Sequence, residues 1–217
     1  MIRTLPRTLL VVLATAASLP ATTSAQPAQA VAAPRAGDPP LDALTAQDRE
    51  VLAAAQALAT ELSQVLEQWI TAKEITADRL FARLYFPLLE PKTDPKKFTT
   101  PYSELADRDL VSHEDKTLAG NPAFVYAILT DSNGYVPAYN HPFAQPLTGD
   151  IAQDYVTNRT KRLLGDRTSL IAARSELPYL RQHTRLETGD PIYDLSVPVM
   201  VVGKRWGCVR IGYRRSE

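Results

Sequence analysis

One stretch near the middle of the chain constrains its fold most, because it joins an apolar run to a strong turn signal. Residues 124–130 are apolar and rich in residues that favour β-strands. The segment 131–134, Asp-Ser-Asn-Gly, follows, and Asn-Gly is typical of a type I′ hairpin turn, whose two central residues adopt positive φ. Residues 135–139 have the composition of a return strand. The stretch therefore predicts a β-hairpin, either as the floor of a small-molecule pocket or as an ordinary core hairpin with tyrosines at its edge.

The N-terminal 30 residues have the pattern of a secretory signal peptide. Arg3 and Arg7 precede a short apolar segment, residues 9–19, and small residues follow. A transmembrane span needs about 20 apolar residues, more than this segment offers, although an uncleaved signal anchor is the alternative. We therefore predict a cleaved signal peptide at residues 1–30 and a disordered Ala/Pro-rich linker at residues 31–43. The mature protein is expected to be periplasmic or secreted.

Charge and cysteine content narrow the class of protein further. The chain has 217 residues, with 24 Lys and Arg against 24 Asp and Glu. A net charge of zero gives no reason to expect a nucleic acid or an acidic membrane surface as partner. Cys208 is the sole cysteine, so no internal disulfide can form, and it is predicted to be a small buried apolar residue. The length suits one domain, which we place at residues 44–217.

Residues 44–72 predict a long helix with a continuous apolar seam. Apolar side chains recur every seven residues at Leu44, Val51, Leu58 and Val65. Thr45 and Asp48 resemble a capping box at its start. The seam either packs within its own domain or pairs with another chain, so a membrane receptor or a second copy is an expected partner through this helix.

The C-terminal third predicts strands. Period-two patterns indicate three antiparallel strands joined by short turns, at residues 177–186, 192–202 and 205–213. Residues 150–164 predict a helical crossover from the hairpin to these strands, with Asp150 as N-cap and Gly165 as the stop. Helices at residues 44–90 precede a sheet region at 120–215. The order predicts an α+β fold in which a long N-terminal helix packs on a five-stranded antiparallel sheet.

Four segments resemble a known family when taken in chain order. They are 131–140 (DSNGYVPAYN), 158–162 (NRTKR) with 166–167 (DR), 194–198 (DLSVP) and 206–213 (WGCVRIGY). The chain resembles, over residues 83–213, the extracytoplasmic Cache/PAS-like sensory domains of bacterial methyl-accepting chemotaxis proteins. The resemblance implies a PAS-like sheet with a pocket between the sheet and the loops around the crossover. It also implies a small-molecule sensor acting through a membrane partner in chemotaxis or signal transduction, here as a stand-alone exported protein.

The implied pocket has ten candidate ligand contacts. Arginine side chains would hold a carboxylate in bidentate fashion, Asp194 would accept from an amine or hydroxyl, and tyrosines would supply apolar walls with a polar tip. Because alternate strand residues point to opposite faces, Tyr193 and Asp194 cannot both face the pocket. The candidates are Tyr126, Tyr135, Tyr139, Asn140, His141, Arg159, Arg162, Arg181, Tyr193 and Asp194.

A secreted hydrolase is one alternative function. It would need a nucleophile with a base, or a metal cluster, and the sequence has neither G-x-S-x-G nor H-E-x-x-H. Carboxylates that could supply a catalytic pair are Asp131, Asp150, Asp166 and Glu176. Residues 113–115 (His-Glu-Asp) predict a solvated helix face, since adjacent helical residues do not converge on one metal ion. We predict that the chain is not an enzyme and has no metal site.

A non-covalent haem sensor is the other alternative. The sequence lacks C-x-x-C-H, which excludes the usual covalent attachment of haem. His141 or His183 would have to ligate the iron, although both are predicted to be ordinary surface or core-edge histidines. We therefore expect no bound cofactor.

Overall fold

Helices precede and interrupt an antiparallel sheet, so the α+β class is as predicted. A computed structural model describes residues 44–186 and 188–215, all within one compact unit. The predicted signal peptide (1–30) and linker (31–43) lie outside the described residues. The helices are α1 (Ala46–Thr71), α2 (Ala77–Phe81), α3 (Ser103–Asp109), α4 (Val111–Ala119), α5 (Ile151–Thr157) and α6 (Arg167–Arg174), with a 3-10 turn at His141–Phe143. The strands are β1 (Phe86–Pro87), β2 (Phe98–Thr99), β3 (Phe124–Asp131), β4 (Tyr135–Val136), β5 (Arg162–Leu163), β6 (Leu180–Arg185), β7 (Pro191–Val201) and β8 (Lys204–Tyr213).

Helix α1 begins at the predicted capping box and packs along the sheet. The Thr45 N–H donates to Oδ2 of Asp48 at 2.9 Å, and the Asp48 N–H donates to Oγ1 of Thr45 at 3.2 Å. The apolar seam packs against β7 and β8. Its buried residues are Val51, Ala55, Leu58, Leu62, Val65 and Trp69. The seam therefore contributes to the core of its own chain, the first of the two alternatives.

The main sheet has four strands in the order β3-β8-β7-β6, all antiparallel, so the predicted five-stranded sheet is wrong. The three C-terminal strands are confirmed with small shifts of their ends. A two-residue turn, Val202 and Gly203, joins β7 to β8, and both residues have positive φ, +47° and +71°. Those values are what a type I′ hairpin turn requires.

The missing fifth strand is the return strand of the predicted hairpin. Asp131 ends β3 by accepting from the N–H groups of Asn133 and Tyr135, while the Gly134 N–H donates to its carbonyl. Asn133 does not have positive φ, so the turn is not type I′. The chain leaves β3 here, and β4 pairs with β5 in a separate two-stranded sheet.

Side chains cover the edge of β3 where the return strand was expected. The Leu129 N–H donates to Oε1 of Glu114 and the Ala127 N–H to Oδ1 of Asn140, both at 2.8 Å. Glu114 is therefore completely buried, so the predicted solvated face at residues 113–115 is wrong for this residue. Capping by side chains leaves fewer unpaired groups on the edge strand.

The predicted crossover helix is shorter than expected. Asp150 is its N-cap, accepting from two backbone N–H groups, but α5 ends at Thr157 rather than at Gly165. Two buried cations bind the carbonyls that follow. Lys97 Nζ donates to the carbonyls of Asn158 and Thr160, and Arg162 donates to that of Asn158 and to two carbonyls within α5. Cations at a helix C-terminus complement its dipole, and here they hold the crossover against the body of the protein.

Candidate ligand-binding site

A cavity of about 450 Å³ lies on the sheet face opposite α1. Strand β7 shows how the two faces separate. Leu195 and Val197 point into the core shared with α1, whereas Ile192 belongs to a second apolar cluster on the cavity side. The crossover and the N-terminal turn of α6 line the opposite wall. Its volume is within the usual range for small-molecule sites.

The floor of the cavity is aromatic and aliphatic. Tyr126 and Ile128 from β3 and Ile192 from β7 lie beside Tyr139, and all four are nearly or fully buried. The rings of Tyr126 and Tyr139 meet edge to face with their centroids 6.4 Å apart. This floor offers an apolar surface to a ligand.

A polar network lies beneath and beside that floor. Oδ2 of Asp194 accepts from the hydroxyl of Tyr126 at 2.5 Å and from Nε of Arg210 at 3.0 Å. Arg210 also donates to Oγ of Ser169 at 2.7 Å, and Ser169 donates to Asp166, the N-cap of α6. Burial and the charge of Asp194 raise the pKa of Tyr126 well above its ordinary value, so its hydroxyl stays a donor. The network fixes α6 to the sheet.

The walls of the cavity are strongly basic. Of the described residues that line it, five are arginines and one, Asp166, is a carboxylate. The arginines are Arg159, Arg162, Arg167, Arg185 and Arg210. Burial opposes the charge on Arg210, but the neighbouring Asp194 outweighs burial and holds the pKa of Arg210 above its ordinary value. The cavity therefore has a positive potential that favours an anionic ligand.

The arginines differ in the contacts that they already make within the protein. Arg162 is buried, stacks 5.2 Å from the ring centroid of Tyr155 and donates to backbone carbonyls. Arg159 lies 4.5 Å from the ring centroid of Phe143. Arg167, the first residue of α6, is exposed and forms no hydrogen bond or ion pair with any residue that the structure describes. Arg167 is thus the best placed of these arginines to contact a ligand.

Half of the ten sequence-predicted residues belong to this site. Tyr126, Tyr139, Arg159 and Arg162 line the cavity, and Asp194 lies directly under it, bound to Tyr126. The role predicted for Asp194 is different, however. Asp194 does not line the cavity. Arg210 and Tyr126 both bind its Oδ2, and its Oδ1 is buried beneath the floor with no hydrogen-bond partner among the described residues, so the carboxylate holds the floor together rather than facing a ligand amine.

Three predicted residues from the central segment lie elsewhere. Tyr135 is in the main core, where its ring lies 5.3 Å from that of Tyr85 and its hydroxyl donates to the carbonyl of Phe98. Asn140 covers the edge of β3, as described above. His141 is exposed, and its N–H donates to Asp115. The prediction placed them in the pocket because it assumed a hairpin that does not form.

Arg181 and Tyr193 lie on the α1 face of the sheet. Arg181 forms an ion pair with Asp48, the capping residue of α1, and Tyr193 packs 5.7 Å from the ring of Tyr213. The prediction that Tyr193 and Asp194 point to opposite faces is therefore confirmed. It is Asp194 that faces the cavity side.

The sequence interpretation did not choose Arg210, Arg167 or Ser169 as site residues. Arg210 had a recognisable signal, because it is the one cation in the segment 206–213 of β8, where Val209 and Ile211 flank it and the other residues are apolar or small. A charge inside such a strand needs a buried partner, which is Asp194 here. Helix α6 was not predicted, so the positions of Arg167 and Ser169 had no local signal.

Of the residues proposed for the alternative functions, Asp166 alone is among the described residues that line the cavity. Neither His141 nor His183 lines it, and the His183 ring packs against Tyr193 on the α1 face. Asp150 and Asp166 each cap a helix, and Asp131 ends β3. Each of these carboxylates therefore accepts hydrogen bonds at the end of a different helix or strand.

A second hollow, about 670 Å³, lies at the end of α1 beside α3 and α4. Its polar groups bind one another. Nε1 of Trp69 donates to Asp109 at 2.7 Å, and Arg108 bridges Asp109 and Glu74. Because these charged groups already bind one another, whereas Arg167 of the arginine-lined cavity has no partner among the described residues, the arginine-lined cavity is the stronger candidate.

Comparisons with known proteins identify no family. No protein-family model matches the chain, and no curated protein matches it. Among solved structures, an extracellular ligand binding receptor from Desulfohalobium retbaense is similar over 72% of this chain, with 13% identity and a TM-score of 0.36. This chain spans 24% of the length of that receptor chain. Similarity this weak does not identify a function.

Within residues 44–186 and 188–215, no helix is both long and apolar enough to cross a bilayer.

Proposed function

We propose that this chain is a small-molecule-binding sensory domain whose ligand carries a carboxylate or a similar anion. The observation that carries the proposal is the cavity itself, whose lining combines five arginine residues with an aromatic and aliphatic floor. Guanidinium groups bind carboxylates through paired hydrogen bonds, and the low-polarity floor strengthens that attraction.

A binding role fits the chemistry of the cavity better than a catalytic one. Its charged groups are mostly arginines, which stay protonated and do not exchange protons with a substrate at neutral pH. Asp166 is the N-cap of α6, and it accepts two hydrogen bonds from Ser169. We therefore propose a binding module rather than an enzyme, with no cofactor.

The cellular setting is proposed from the sequence. The pattern of residues 1–30 supports export to the periplasm or beyond, and the resemblance to chemoreceptor sensory domains supports a role in chemotaxis or signal transduction. Output would then pass through a membrane receptor or a homodimer. Since the apolar seam of α1 is buried in its own core, such a contact would use the opposite, polar face of α1.

A thermal-shift comparison tests the anion-binding function. Ligand that binds the native state alone stabilises it by about 2.7 kcal/mol at a hundredfold excess over Kd. We expect carboxylates to raise the melting temperature, and matched neutral amides or alcohols to leave it unchanged. Arg167→Gln should reduce the shift, whereas Arg174→Gln, at the exposed far end of the same helix, should preserve it. Equal shifts with charged and neutral compounds would overturn the proposal.

A further inference from the structure

We infer that the ligand is a monocarboxylate with a hydrocarbon body, aromatic or branched aliphatic, and without an amino group. This inference rests on the proposed function and narrows its ligand class. It follows from the arrangement of apolar and charged groups around the same cavity.

The apolar side of the cavity favours a ligand with a hydrocarbon body. Ile128 and Ile192 lie at the floor with the edge-to-face pair of Tyr126 and Tyr139. Leu164 and Leu186 are partly buried against the same cluster and also line the cavity. A ligand as short as acetate would leave this surface in contact with water. A hydrocarbon body that covers it removes this apolar surface from water, which favours binding.

The hydroxyl of Tyr126, one of the two tyrosines at the floor, is already bound within the protein. The Tyr126 hydroxyl already donates to Asp194, so it has no free proton to offer. Phe143, packed 5.7 Å from Tyr139, extends the aromatic surface behind the floor. The floor therefore favours a carbon skeleton over a sugar or a polyol.

The charged half of the cavity sets the head group. Arg167 is an exposed side chain at the wall. Arg185 lies between Thr184 and Leu186 of the cavity side, so its own side chain points away from the cavity, and it donates to the carbonyl of Gly189. Arg167 has no partner among the described residues. One carboxylate can accept two hydrogen bonds from one guanidinium group, so a single head group is enough to engage Arg167.

An amino group on the ligand would be repelled. An α-ammonium lies next to its carboxylate, so it would lie close to the arginine that binds the carboxylate. Asp166, the one carboxylate among the described lining residues, already accepts two hydrogen bonds from Ser169. Asp194, the carboxylate expected to receive an amine, is fully buried and does not line the cavity. Like charges at short range in a partly enclosed site weaken binding.

Isothermal titration of the full mature chain with matched compounds tests this inference. The probes are phenylacetate, phenylalanine, phenethylamine and acetate. We expect phenylacetate to bind at least about tenfold more tightly than phenylalanine or acetate, and phenethylamine not to bind. Arg167→Gln should weaken phenylacetate binding about tenfold, and Arg174→Gln should not change it.

The outcomes separate this inference from the function on which it rests. If phenylalanine binds as tightly as phenylacetate, or acetate does, the ligand class is wrong while carboxylate binding stands. If no carboxylate binds, and Arg167→Gln therefore has nothing to change, the proposed function fails as well. Ile192→Asn, which adds polarity to the floor, should weaken phenylacetate more than acetate. Equal losses for the two would also overturn the inferred ligand class.

Discussion

The carboxylate of Asp194 and the guanidinium of Arg210 form an ion pair, 2.8 Å between Oδ2 and Nη2, with both side chains almost completely buried. The two residues come from neighbouring strands of the sheet, β7 and β8. Their partners, Tyr126 and Ser169, belong to the cavity floor and to helix α6. The pair therefore connects the sheet to both parts of the candidate site.

Asp194→Asn should strongly destabilise the protein. It removes the charge that compensates buried Arg210, and breaking a buried ion pair in this way costs about 3–5 kcal/mol. Urea denaturation measures the change. Asp190→Asn is the matched control, because Asp190 and Arg214 are both exposed and lie 3.8 Å apart, and such a pair contributes only about 0–1 kcal/mol. Similar losses for the two variants would show that the buried pair does not hold the floor.

Gly212→Ala should disturb the floor of the cavity. A Cβ at this position would overlap the ring of Tyr126, which lies directly over Gly212. Overpacking of this kind costs about 1–3 kcal/mol, and the displaced ring should also weaken ligand binding. Gly165→Ala is the control, since a Cβ there meets no atom within 4 Å. Calorimetric unfolding that shows no difference between the variants would contradict the position of Tyr126.

Glu114→Gln should make the protein more stable at neutral and alkaline pH. Burial raises the pKa of Glu114 to about 8, against an ordinary value of 4.5. Between pH 4.5 and pH 8 the native state keeps a proton on Glu114 that the unfolded state releases. The free energy of unfolding of the wild type therefore falls as pH rises from about 4.5 to about 8. The glutamine does not titrate, and its amide oxygen can still accept from the Leu129 N–H.

The stability gap between Glu114→Gln and the wild type should therefore widen with pH. Denaturation curves at about pH 5 and about pH 8 measure it, and we expect the variant to gain of order 1–3 kcal/mol relative to wild type across that interval. Parallel pH profiles for the two proteins would mean that Glu114 is not held protonated at the edge of β3.

Val202→Asn should stabilise the β7–β8 hairpin. Val202 has φ +47°, a left-handed conformation that is costly for a β-branched residue and ordinary for asparagine, and its side chain is exposed. Relief of that strain is worth about 1 kcal/mol and should raise the melting temperature. Val156→Asn, at an exposed helical valine, should change it little. A lower melting temperature for Val202→Asn would refute the type I′ turn.

The sequence predicted those helices and strands whose ends are determined by residues close to them in the sequence. The capping box of Thr45 and Asp48, the N-cap Asp150 and the period-two pattern of β7 all depend on neighbours in sequence, and each was predicted correctly. The end of α5 depends on Lys97, which is more than fifty residues away along the chain. The edge of β3 also depends on a residue outside the strand, because the Leu129 N–H donates to Glu114, 15 residues earlier in the sequence, and not to a fifth strand.

The candidate site was only half predictable for the same reason. Tyr126, Tyr139, Arg159 and Arg162 were found because their types suit a carboxylate pocket. Arg181 has the same chemistry but faces α1, and which face of a sheet a residue occupies depends on strand register. Its ion pair with Asp48 crosses more than a hundred residues of sequence, so no local pattern could reveal it.

An NMR titration of ¹⁵N-labelled mature protein with phenylacetate shows whether carboxylates bind in the arginine-lined cavity. We expect shift changes at the backbone amides of Ile128, Leu164, Ser169 and Ile192, which should need about tenfold more ligand to saturate in Arg167→Gln but not in Arg174→Gln. Changes confined to the hollow beside Trp69 and Asp109, or no changes at saturating ligand, would contradict binding in this cavity.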